Sequence, residues 1–146
     1  MITVKNRTRQ HKISEQWIKK NIAEMLVAAG YPDFDLGILL TTNKTIQRYN
    51  KDFRKKDCAT DVLSFPFHHK LKPGGKIIIK SEEDKNLGDI IISLEKTKSD
   101  ADELGVSLKD RVLVLLAHGI AHLLGHDHKT DGQHSAMQKF EKKLLA

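Results

Sequence analysis

Cysteine is nearly absent from this sequence. Cys58 stands alone among 146 residues, so no disulfide can close within the chain, which fits a reducing cytosol. Long apolar runs are missing too. The longest, VLVLLA at residues 112–117, falls far short of the ~20 residues that span a bilayer. Residues 1–12, MITVKNRTRQHK, are polar and basic and lack the apolar segment of a secretory signal. A cytoplasmic protein with no membrane association is the expectation. Aromatic residues make up 5% of the chain. That is too few for an extensive base-stacking platform, so any contact with nucleic acid should rest mainly on phosphates. No repeat, low-complexity tract or linker interrupts the sequence, and one domain over 1–146 is expected at this length.

What is present is basic and amphipathic. The net charge is +6, with 39% hydrophobic and 30% charged residues; enough apolar content for a core is combined with a surface suited to polyanions. Residues 1–5 read as a short strand and 13–29 as a helix capped by Ser14, with Trp17, Ile18, Ile22, Met25 and Leu26 on one stripe and Gly30 and Pro32 beyond it. Residues 34–41 read as a strand, and 43–51 as a short helix capped by Thr42. Residues 61–65 and 87–92 read as strands, with an excursion or hairpin between them around Pro73-Gly74-Gly75. Helices are expected over 94–104, from Ser107 to about Leu124, and over 132–145. Strands come early and helices late, which predicts an α+β fold with helices packed on a small mixed sheet.

The stretch HGIAHLLGHDH, residues 118–128, holds four of the eight histidines. His118 and His122 are one helical turn apart and share a face. Gly125 can end the helix in a left-handed conformation and let His128 return toward the same point. This is the ligand spacing of the metzincin zinc proteases without their glutamate, because Gly119 follows the first histidine. Three imidazoles leave one tetrahedral position open, as in a catalytic zinc site at a helix end. Zinc is the first choice, with nickel and copper open. Gly119 cannot serve as the protease base, so either another group takes the proton or the reaction differs. Asp127 can orient a ligand ring, accept a proton or simply cap the turn. His126 departs from the ligand spacing and reads as a wall or supporting residue. His11, His68, His69 and His134 read as surface residues.

A second constellation, residues 54–66 (RKKDCATDVLSFP), runs from a charged loop into a buried strand. Beside a metal, Arg54 can clamp a phosphate through two parallel N–H donors and stabilise charge on phosphorus oxygens. Lys55 and Lys56 can add backbone-phosphate contacts.

Three motifs then occur in order: N-x-x-[YF]-R-x-K-D-x-x-T-[DN]-V-L-S-F-P from Asn50, L-G-D-I from Leu87, and H-G-x-x-H-L-x-G-x-D-H from His118. Together, with Met137 and Glu141 downstream, they resemble the YbeY family. The resemblance implies an α+β fold around a mixed sheet. It also implies a metal-dependent, single-strand-specific endoribonuclease of 16S rRNA 3′-end maturation and ribosome quality control, with ribosomal RNA and the small ribosomal subunit as partners. It carries His118, His122 and His128 over as metal ligands and Arg54 as the functional arginine, so the reaction is expected to depend on Arg54 and His118. The sequence departs from the family at His126, where tyrosine is usual. Two other readings are a zinc-protease-like hydrolase, favoured by the spacing, and a non-catalytic ribosome-assembly factor with a structural metal.

Overall fold

The computed structural model describes residues 1–146. Strand β1 (Ile2–Asn6) is followed by helix α1 (Glu15–Ala29), strand β2 (Asp35–Thr41), helix α2 (Asn43–Arg54) and strand β3 (Val62–Pro66). Strand β4 (Asn86–Ser93) leads into helices α3 (Leu94–Leu104), α4 (Leu108–Leu123) and α5 (Asp131–Leu145). The sheet runs β1-β2-β4-β3; the first three strands are parallel, and β3 is antiparallel to β4 at one edge. This is the expected α+β architecture with a mixed sheet.

Local chemistry sets the helix starts. Ser14, Thr42 and Ser107 each accept a hydrogen bond from the backbone N–H three residues on, the N-cap interaction. Thr130 and Gln133 form a reciprocal capping box at α5. Helix α2 continues one turn past the expected end, through Lys51 to Arg54, and Lys55 closes it in the left-handed conformation. Its last turn has no apolar stripe to reveal it, since only Ile46 and Asn50 of this helix are buried. Between β3 and β4 the chain makes an excursion without a hairpin, and its one regular turn is a short 3-10 helix at Glu82–Asp84. No helix is long and apolar enough to cross a membrane.

The sheet has two unequal faces because side chains alternate along each strand. Val4, Leu36, Ile38, Leu40, Ile90 and Ile92 join α1, α4 and α5 in the main core. Ile18, Ile22 and Leu26 of α1 and Leu116 and Ile120 of α4 are fully enclosed there. The opposite face carries a small cluster of Ile46, Leu63 and Ile91, with Leu39, Tyr49 and Phe65 packed against it. Helix α4 therefore lies within the main core, and its C-terminal end emerges beside edge strand β3.

Candidate metal centre

Helix α4 brings His118 and His122 to one face, one turn apart, with ring centroids 4.6 Å from each other. Gly125 (φ +94°) is left-handed, and a Cβ there would lie 2.3 Å from the Leu71 carbonyl oxygen. Only glycine permits this combination of backbone angle and close approach. Past that turn, the His128 ring lies 5.8 Å from His118 and 5.3 Å from His122 by centroids. One ring nitrogen from each of the three lies within 4.8 Å of the others.

The hydrogen bonds fix which nitrogens face inward. His122 Nδ1 lies 3.0 Å from the His126 carbonyl. A carbonyl only accepts, so Nδ1–H donates and Nε2 carries the lone pair. His118 Nδ1 lies 2.7 Å from Glu141 Oε1 and donates to that carboxylate in the same way. The two Nε2 atoms then face one another at 3.1 Å, and in the neutral, ligating form of both rings each turns a lone pair toward the space between them. Burial, and then the neighbouring His118, hold the His122 pKa below its ordinary value, which favours the neutral ligand form. Two converging lone pairs repel unless a cation sits near both. Nitrogens bound tetrahedrally at 2.0–2.1 Å are about 3.3 Å apart, so the donor set fits a single metal ion. Carbonyl or carboxylate support behind each ring is the usual arrangement around ligating histidines.

The remaining neighbours divide by role. The Asp127 carboxylate accepts from the His128 backbone N–H at 2.7 Å; this bond, and then Lys129 nearby, lower its pKa. Asp127 thus caps the turn, and the ring-orienting positions belong to Glu141 and the His126 carbonyl. The His126 ring stacks on Phe140 (4.7 Å, 21°), and its Nδ1 is buried without a partner. Burial lowers the His126 pKa. The His126 ring thus packs against Phe140 at the wall of the cavity, outside the group of three converging nitrogens.

Gly119 owes its place to packing. It is buried, and a Cβ there would lie 2.8 Å from Cδ1 of Ile90 and 3.1 Å from its Cγ2. A protease-type glutamate at this position would press on the Ile90 side chain and enter only if that side chain gave way.

The three histidines share a cavity of about 460 Å³ with Arg54, Asp61, Ser64 and His69. Arg54, on the last turn of α2, donates from Nη2 to the Ser64 carbonyl at 2.6 Å, and its guanidinium lies 5.7 Å from the Phe65 ring centroid. One donor is thereby anchored out of the five that a guanidinium carries. Lys55 and Lys56 are exposed just beyond, and Lys55 Nζ reaches the Asp52 carbonyl at 3.4 Å. Sequence reasoning gave no role to Glu141, Asp61 or His69. Asp61 lies inside the T-D-V-L-S-F-P motif, which was its signal. His69 had none, because it is exposed and in an irregular segment.

Comparison with known proteins shows the family of the chain. The family model described as Endoribonuclease YbeY matches residues 3–146. The Endoribonuclease YbeY of Geobacter metallireducens is 34% identical over 151 residues, covering 99% of this chain and 93% of its own length. That of Sulfurihydrogenibium sp. is 40% identical over 120 residues, covering 82% and 73%. That of Aquifex aeolicus is 40% identical over 125 residues, covering 86% and 77%. The solution structure of TM1509 from Thermotoga maritima shares the fold, with a TM-score of 0.60, 19% identity and coverage of 99% of this chain and 89% of that one. The chain belongs to the Endoribonuclease YbeY family.

Proposed function

We propose that this protein is a metal-dependent endoribonuclease that cuts single-stranded RNA. We further propose that it works in 16S rRNA 3′-end maturation and ribosome quality control, in the cytoplasm and on the small ribosomal subunit. One observation carries the reading: three convergent imidazole nitrogens and an anchored guanidinium line the same cavity. The description of the relatives as endoribonucleases supports the reaction class, and the net charge of +6 suits a polyanionic substrate.

His118, His122 and His128 would hold one ion, with zinc first and nickel second for neutral nitrogen donors. When bound, the ion supplies Lewis acidity at a phosphoryl oxygen. Arg54 keeps one N–H on Ser64 and directs its remaining donors at non-bridging phosphate oxygens, where negative charge grows in the transition state. Glu141 and the His126 carbonyl keep both α4 rings in the ligating tautomer. Lys55 and Lys56, exposed beside Arg54, take the adjoining backbone phosphates. Gly119 leaves no carboxylate where a zinc protease holds its base.

The reading is tested by incubating purified chain with an unstructured RNA and with casein. RNA should be cut and casein left whole. His118→Ala and Arg54→Ala should each abolish RNA cleavage while circular dichroism stays native. Full cleavage by both variants would sink the proposal. The product ends assign the nucleophile: a 2′,3′-cyclic phosphate reports the RNA's own 2′-OH, and a 5′-phosphate reports water.

A further inference from the structure

The chain has one Trp, two Tyr and five Phe, and three of these aromatics converge beside the arginine. Phe53 lies in the charged run KDFRKK at 51–56 and is 63% exposed. Its ring runs nearly parallel to that of Tyr49, one turn earlier on α2 (6.1 Å, 17°). Phe65 of β3 meets it edge-on (5.5 Å, 69°). These neighbours fix the orientation of Phe53 without burying it. A rigid aromatic ring is held open to solvent among lysines, where a polar residue would cost less to expose.

The ladder connects to the metal centre through Phe65. The Arg54 guanidinium lies 5.7 Å from that ring's centroid and is bonded to the Ser64 carbonyl. Since β3 is an edge strand, Arg54 and Phe53 straddle the sheet edge. Arg54 lines the metal cavity, and Phe53 lines a larger groove of about 800 Å³ on the opposite face. Lys5 and Arg7 also line that groove, and Asp89 is its one acidic residue. A strand crossing the edge would meet a phosphate ligand and then an aromatic face, with cations beyond.

We propose that Phe53, backed by Tyr49 and Phe65, is a stacking shelf for one unpaired base of the RNA strand whose phosphate is held at Arg54. This deepens the endoribonuclease reading and rests on it. The cations at both ends, and the contact of Phe65 with the Arg54 that lines the metal cavity, favour a nucleic acid over a protein as the occupant. The shelf also gives a physical basis for single-strand preference, because a paired and stacked base cannot leave its duplex to lie on Phe53 without paying the unstacking cost.

The test uses the metal-loaded full chain and a short unstructured RNA. Base stacking is worth enough that Phe53→Ala should raise KM about tenfold with little change in kcat. Phe53→Leu, apolar but without a π face, should behave like Phe53→Ala, and Phe53→Trp should restore wild-type KM. Rapid mixing with RNA should quench the added indole of Phe53→Trp, whereas the wild type, with Trp17 alone, should give no signal. The salt dependence of KM should be unchanged in Phe53→Ala and shallower in Lys55→Ala/Lys56→Ala, since only the lysines release counterions. Unchanged KM in Phe53→Ala together with an unquenched Phe53→Trp overturns the shelf while leaving the endoribonuclease reading intact. Absence of RNA cleavage by the wild type overturns both.

Discussion

His118 Nδ1 lies 2.7 Å from Glu141 Oε1, a contact between helices α4 and α5 across 23 residues of sequence. A histidine of the triad on one helix is thus aimed by a carboxylate on the next, and the last helix would help to hold an ion bound there. Glu141→Ala should weaken metal affinity about 10- to 100-fold, the usual consequence of removing such a support. Competition with a chromophoric chelator measures this, with circular dichroism as the check on folding. Unaltered affinity would show that the carboxylate has no part in holding the ring.

At Gly119 the helix-propensity rule should reverse. Replacing glycine by alanine inside a helix ordinarily stabilises by about 1 kcal/mol. Here the new methyl would press on Ile90, which is fully buried, and overpacking of this kind costs about 1–3 kcal/mol. Gly119→Ala should therefore lower the denaturant midpoint, and adding Ile90→Ala should make the two effects non-additive by relieving the contact. A gain in stability for Gly119→Ala alone would refute the packing account.

Gly125 makes a sharper demand. Asparagine tolerates the left-handed region better than other residues, yet its Cβ would meet the Leu71 carbonyl oxygen as alanine's would. Gly125→Asn should thus be about as damaging as Gly125→Ala, and both should lose metal affinity because His128 follows this turn. Thermal unfolding and metal titration of the pair decide it; full rescue by asparagine would mean that backbone angle alone matters.

Arg54→Lys keeps the charge and removes the planar fork. Cleavage should fall roughly a hundredfold, the scale of losing one oriented donor to a charged transition state, while bound metal stays at the wild-type level. Metal loss in this variant would instead make Arg54 part of the centre's scaffold.

Much of this was readable in the chain because the signals are local. Ser14, Thr42 and Ser107 announce their helices by a side-chain oxygen three residues ahead of a donor. His118, His122 and His128 are linked by one helical turn and one glycine stop, both visible as spacing. The last turn of α2 was hidden because its residues are charged and its packing is slight. Ile77-Ile78-Ile79 has strand-like composition, but no partner strand lies beside it. Glu141, the tight fit at Gly119 and the Tyr49–Phe53–Phe65 ladder depend on elements that meet only in the folded chain. The low aromatic content argues against a broad stacking surface, but it does not reveal that three rings converge beside Arg54.

The central claim is that the three-histidine centre drives RNA cleavage, and the most direct measurement follows one unstructured RNA through metal removal and return. Purified chain should contain close to one metal ion per molecule and cut the RNA. Chelation followed by dialysis should remove both the metal and the activity, and stoichiometric zinc or nickel should restore cleavage in the wild type but not in His118→Ala. Cleavage that persists in metal-free protein would contradict the account.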